Sequence, residues 1–305
     1  MKNRIKYKLK LIKELVMELE DYKAIKKKNK INKILYYFRI VIKKLKKIID
    51  IFILKKIYIY YVEMVLTTVC PLNCNGCSAL INYYSKKSHI DLNNNIKALD
   101  NLIKICDSID HLRLLGGEPL CYPKLYEILK YLNNQVKIKK ITIVTNGTLL
   151  IKDNRVLKIL NNEKFNVYIS DYGLVSGKKN ELINQLKCNN IKYIISDEER
   201  MWRDYGNLEC RNRNEKELRN QFSNCPIMCN SILNGKLHHC PRSSNGTNIK
   251  KIPLRQVDYL DLLDKNLNKK QLYKFFFKYV SYVEACNHCN AGTKDLKQIS
   301  PGIQL

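Results

Sequence analysis

Between residues 60 and 198, short apolar runs alternate with stretches of helical periodicity, and this alternation restricts the fold of the 305-residue chain most. Runs of strand length lie at 62–69, 111–115, 140–145, 166–170 and 191–196. Helical patterns at 93–106, 123–132, 153–160 and 178–187 separate them. Repeated βα units predict parallel strands covered by helices, and right-handed crossovers wind such a sheet toward a barrel or an open α/β sheet. Function in these folds sits at the carboxyl ends of the strands.

The flanks read differently. Residues 1–60 show helical stripes (Leu9, Ile12, Leu15, Val16 and Leu19, then Ile31, Leu35, Phe38, Ile42 and Leu45) and carry 19 Lys or Arg against 5 Asp or Glu. This segment supplies about half of the formal net charge of +27. A basic amphipathic arm packs on the protein's own core or lies on an anionic surface; both readings stay open. Residues 48–66 are interrupted by Asp50, Lys55, Lys56 and Glu63, so no membrane-spanning helix is expected there. No export signal is read at the charged N-terminus, so a cytoplasmic location is expected, with peripheral membrane contact through the arm as a further option. Twelve cysteines in such a compartment point to metal ligation rather than disulfides. Six of them fall after residue 199, where the βα alternation stops and one further helix is predicted at 270–280. The expected organisation is therefore a basic extension (1–60), an α/β core (61–198) and a small cysteine-rich domain (199–305).

Cys70-Pro-Leu-Asn-Cys74-Asn-Gly-Cys77 follows the first strand directly. One loop with this spacing can wrap three thiolates around one inorganic cluster, whereas a structural zinc site needs four ligands in separated pairs. A [4Fe–4S] cubane normally takes four thiolates, so three leave an iron open to an exogenous ligand. Further polar residues end the next three strands: Gly116-Gly117-Glu118-Pro119, Thr145-Asn146-Gly147 and Ser170-Asp171. The strand bodies between them read as apolar.

The CxxxCxxC loop followed one βα unit later by GGEP resembles the radical S-adenosylmethionine (radical SAM) superfamily. Gly76 stands where an aromatic residue commonly precedes the third cysteine. The resemblance implies a partial (β/α)6 TIM-like barrel, a [4Fe–4S] cluster on Cys70, Cys74 and Cys77, and SAM chelating the open iron. It also implies SAM contacts from Gly116, Gly117, Glu118 and Pro119, with Glu118 and backbone carbonyls receiving the SAM ammonium. Thr145, Asn146 and Gly147 would meet the ribose, and Ser170 and Asp171 SAM or substrate. A one-electron donor such as flavodoxin or ferredoxin would be the reductant.

Cys225, Gly235 and Cys240, followed by Cys286-Asn-His-Cys289, resemble the SPASM and twitch auxiliary-cluster domains. Since no cysteine follows Cys289, the match is to the shorter twitch form with one further [4Fe–4S] cluster on Cys225, Cys240, Cys286 and Cys289. Cys229 is spare or replaces Cys225, and a four-cysteine zinc ribbon is the alternative. Cys106 and Cys188 read as core residues on helix faces. Cys121 lies near the expected cavity, and Cys210 has no specific reading.

By this resemblance the enzyme cleaves SAM to a 5′-deoxyadenosyl radical and abstracts hydrogen from a small molecule, such as a sugar or sugar-phosphate alcohol, with dehydrogenation as the outcome. No catalytic side chain is singled out. Epimerisation and peptide or protein modification are alternatives. A zinc-bearing nucleic-acid-binding protein would explain the charge but neither GGEP nor the triad, so nucleic acid is not the expected partner.

Overall fold

The strand ahead of the cysteine triad starts earlier than its apolar run suggests: β1 spans Tyr58–Thr67. In the computed structural model, residues 42, 45, 46, 49–51, 53–197, 201–227, 229–277 and 280–305 are described. Most of the two stripes expected in the first 60 residues lies outside them; the described positions between 42 and 51 are helical. Among the described residues no helix is long and apolar enough to cross a membrane.

Four βα units follow β1. They are α1 (Leu92–Ile105) with β2 (Ser108–Gly116), α2 (Leu125–Asn133) with β3 (Ile138–Thr145), α3 (Asn154–Leu160) with β4 (Phe165–Ile169), and α4 (Lys179–Cys188) with β5 (Tyr193–Ile195). Local chemistry fixes the helix starts: the Asp91 carboxylate accepts from the Asn94 N–H at 2.8 Å, and Asp153 from the Arg155 N–H at 2.8 Å. Beyond these units come β6 (Trp202–Asp204), α5 (Glu215–Asn224), β7 (Asn230–Leu233), β8 (Lys236–His238), α6 (Pro241–Asn248), β9 (Tyr259–Asp261), α7 (Lys269–Phe277) and β10 (Lys297–Ile299).

The main sheet runs β5-β4-β3-β2-β1-β7-β8-β9. Six neighbouring strands, from β5 to β7, are parallel, in agreement with the expected partial barrel. The sixth comes from the cysteine-rich part of the chain, where β7 pairs with β1 in the register Glu63↔Ser231. The sheet therefore crosses the expected boundary at 198/199. β7 and β8 form a hairpin whose turn residues Asn234 and Gly235 both take positive φ, as a two-residue primed turn requires.

Side chains alternate across β1. Val62, Met64 and Leu66 enter the main core with Leu99 and Leu102 of α1, so Tyr61 and Glu63 face the other way, into the barrel interior. Cys106 is buried at the end of α1 as expected, but Cys188 is exposed: α4 turns Leu182 and Leu186 to the core instead. Leu99→Ala should cost about 2–5 kcal/mol of unfolding free energy, read by denaturant titration, because it empties a fully buried site.

Candidate active site

Beyond their last ladder pair, β1 and β2 remain joined. The Gly117 N–H donates to the Thr67 carbonyl at 2.7 Å, and the Glu118 N–H donates to the Val69 carbonyl at 2.8 Å. No side chain fits in this approach. A Cβ on Gly116 would lie 2.1 Å from the Thr67 oxygen, and one on Gly117 2.2 Å from the Val69 oxygen. The glycines thereby hold the entry of the cysteine loop against the end of β2.

Glu118 is fully buried and ties in a third strand. Its Oε2 accepts from the Asn146 N–H at 2.8 Å and its Oε1 from the Leu120 N–H at 3.0 Å. Burial pushes this carboxyl up to about 7, against the pull of those donors. The side chain expected to meet the SAM ammonium is thus occupied by backbone N–H groups. Glu118, Pro119 and Gly147 stand behind the cavity wall, while Gly116 and Gly117 form part of it.

Burial raises the thiols of all three loop cysteines, Cys70 to about 12. Each sulfur nonetheless attracts donors. Cys77 receives backbone N–H groups from Ile81, Ala79 and Leu80, and Cys70 one from Leu72 together with Asn146 Nδ2 at 3.5 Å. Gln304 Nε2 donates to Cys74 Sγ at 3.2 Å. Neutral buried thiols have little use for such donors; metal-bound thiolates do, so the residues present fit an iron–sulfur cluster.

Gln304 carries no motif and was not foreseen. It belongs to a strap that covers the outer side of the loop. β10 pairs antiparallel with β6, the Asn75 N–H donates to the Ile303 carbonyl at 2.7 Å, and the Leu305 N–H donates to the Asn73 carbonyl at 2.9 Å. The cysteine loop is held between this strap and the glycine pair.

A cavity of about 690 Å³ opens beneath the loop. Cys70, Cys74, Cys77, Gly116 and Gly117 line one side, and Thr145, Asn146, Ser170 and Asp171 continue the wall along the ends of β3 and β4. Asp171 is buried and paired with the Lys179 ammonium. The structure thus gathers nine of the residues read from the sequence around one space. It adds others. Glu63, Arg113 and Tyr168 line the interior of the barrel, and Trp202, Arg203 and Tyr205 line its mouth. The strand bodies are therefore not apolar on their inner face. The signal was visible as charged or polar residues at alternate positions, Glu63 in β1 and His111 with Arg113 in β2.

The later cysteines form a second group. Cys225 ends α5, Cys240 opens α6, Cys286 lies in the turn Glu284–His288, and Cys289 closes that turn. Burial raises the Cys240 and Cys286 thiols, and each is pushed further by the charges of its neighbours in the group. Backbone donors again address sulfur: the Ser243 N–H reaches Cys240 at 3.4 Å and the Ala291 N–H reaches Cys289 at 3.3 Å. Arg213 Nη1 donates to the Cys286 and Cys289 carbonyls at 3.0 and 2.8 Å. The buried Arg242 holds the His288 carbonyl at 2.7 Å. Two guanidinium groups thus fix the CxxC turn and offset negative charge there. Among the described residues no three His, Cys, Asp or Glu side chains are grouped as a single ion would need. Cys229 feels the charges of Glu63, Cys240 and Arg113.

Comparison with known proteins agrees with the first half of this arrangement. Residues 64–170 match the family model described as the radical SAM superfamily. The chain is similar to the GTP 3′,8-cyclase of Alkaliphilus metalliredigens, 29% identical over 113 residues, covering 36% of this chain and 35% of that protein. It is similar also to the GTP 3′,8-cyclase of Clostridium perfringens, 33% identical over 97 residues, covering 30% and 28%. The chain thus spans about a third of the length of these curated relatives. Among solved structures, that of BtrN in complex with AdoMet and 2-DOIA covers 79% of this chain and 98% of its own, with a TM-score of 0.50 and 13% identity. At that identity the likeness is one of fold.

Gly117→Ala should prevent the loop from closing on β2. Anaerobic reconstitution of this variant should yield less iron than the wild type, because the cluster expected on Cys70, Cys74 and Cys77 would not be held; equal iron content would show that the close approach is dispensable.

Proposed function

Starting from a chain that carries a radical SAM domain at residues 64–170, we propose an enzyme that cleaves S-adenosylmethionine reductively and takes a hydrogen atom from a small-molecule substrate. The observation that carries this reading is the convergence of Cys70, Cys74 and Cys77 with Gly116 and Gly117 on one cavity. Cys70, Cys74 and Cys77 would hold a [4Fe–4S] cluster, leaving one iron position for SAM. When bound, the cluster and SAM supply a one-electron cleavage that generates the hydrogen-abstracting radical.

The residues of this chain provide the rest. Gly116 and Gly117 offer bare backbone at the wall, with no Cβ to keep a ligand away. Thr145, Asn146, Ser170 and Asp171 would bind and orient SAM along the strand ends. The strap at 297–305 and the ring pair Tyr172–Trp202, 5.1 Å between centroids, cover the outer side of the loop and would limit the entry of water. Cys225, Cys240, Cys286 and Cys289 would hold a second cluster in a twitch-like part that begins near residue 199. Oxidation of a substrate alcohol is the reaction class we favour, since a second redox centre could accept the second electron of a two-electron oxidation. The named relatives align only over the domain that would bind SAM, so their substrate does not decide this one.

Reconstituted protein should carry about eight iron and eight sulfide per chain, as two four-iron clusters. With dithionite it should release 5′-deoxyadenosine from SAM, and the Cys70→Ala/Cys74→Ala/Cys77→Ala variant should release none. Unchanged release by that variant would sink the proposal; zinc without a second set of sulfide would sink the auxiliary cluster.

A further inference from the structure

The barrel interior below the cysteine loop is polar, and its two layers differ. In the lower layer, His111 Nε2 lies 2.7 Å from Thr142 Oγ1, which in turn donates to Asn166 Oδ1. Burial lowers the His111 ring to about 4, so it is neutral. These three side chains satisfy one another and close the floor.

The layer above is incomplete. Glu63 and Arg113 stand opposite each other in the β1–β2 register, yet they do not form a direct ion pair among the described residues. Tyr61 connects them: its hydroxyl donates to Glu63 Oε1 at 2.9 Å and accepts from Arg113 Nη1 at 2.7 Å. The guanidinium is also held over two rings, 5.7 Å from the Tyr61 centroid and 5.2 Å from that of Tyr168. Its Nε is buried and has no hydrogen-bond partner. Glu63 is itself only 8% exposed, and both residues line the cavity. A buried donor left unpaired costs about 1–3 kcal/mol. A purely structural ion pair would have closed on itself.

We propose that Glu63 and Arg113 are the recognition site for the ring hydroxyls of a neutral, sugar-like substrate. The inference rests on the reading of the same cavity as a SAM site. A carboxylate accepts from hydroxyl hydrogens and a guanidinium donates to hydroxyl oxygens, so the couple matches groups that are donor and acceptor at once. Burial raises the Glu63 carboxyl while Arg113 and the Tyr61 hydroxyl favour its charged form, and in that form Glu63 would repel a phosphate at this depth. A nucleoside triphosphate, the substrate named for the similar cyclases, is therefore a poor match for the floor. The place suits the chemistry as well. The couple lies in the same cavity as the cysteine triad, so a ring held there shares the cavity with the triad.

The test uses the anaerobically reconstituted holoprotein with SAM added. Binding of glucose, galactose, mannose, N-acetylglucosamine and GTP is followed by saturation-transfer NMR, and binding of SAM itself by equilibrium dialysis. At least one neutral sugar should bind the wild type. Its affinity should fall about tenfold or more in Glu63→Gln and in Arg113→Gln, because each change breaks hydrogen bonds to a charged group. Tyr61→Phe, which keeps the ring and removes one hydroxyl, should weaken it by about threefold to tenfold and guards against unfolding in the other two. GTP binding without any sugar, no binding by any sugar, or sugar binding indifferent to all three variants would each overturn the proposal. If the wild type fails to retain SAM, the reading of the cavity fails instead, and the two failures are told apart.

Discussion

The rest of the site depends on a backbone contact from which side chains are excluded. Thr67 and Val69 accept the N–H groups of Gly117 and Glu118, and any Cβ on either glycine would collide with the accepting carbonyls. This contact sets where the chain leaves β1 and hence where Cys70 begins its loop. Glu118 extends the constraint to β3 through the Asn146 N–H, and Asn146 in turn reaches the Cys70 sulfur. One buried carboxylate thus links three strand ends to the first cysteine. Its cost in desolvation is offset by the backbone donors it receives.

Electrostatics follows the same division of labour. Burial disfavours the thiolates of Cys70, Cys74, Cys77, Cys240, Cys286 and Cys289, yet backbone and amide donors are aimed at sulfur in both cysteine groups. Such donors stabilise charge that iron would bring and that a bare thiol would lack. The sheet brings the groups together. β7 adds to β1 on the side opposite β2, so the hairpin that leads to Cys240 shares its strand neighbour with the cysteine triad. The interior below the cysteine triad is polar, unlike the packed branched side chains that fill an ordinary barrel.

Much of this was legible in the sequence because it is periodic or densely spaced. The βα alternation placed five strands and four helices within a few residues of their observed ends, and the triad and the two glycines of GGEP line one cavity. Three things escaped. β7 joins β1 across more than 160 residues of chain, and no local pattern announces a long-range parallel pairing. Glu118 reads as a ligand group from its type and position; that it also ties strand ends together through two N–H donors has no signal in the sequence. Gln304 lies in an unremarkable stretch, on a strap whose place is set by antiparallel pairing with β6. Glu63 was visible as a charge within an apolar run, and its meaning emerged only with the side to which β1 turns it.

The central claim is that the cysteine loop and the glycine turn form one site in which SAM meets the cluster. Electron paramagnetic resonance of the dithionite-reduced holoprotein, recorded with and without SAM, tests it most directly. Two reduced-cluster signals are expected, and SAM should alter one of them while leaving the other in place. A spectrum that SAM leaves unchanged would contradict the account.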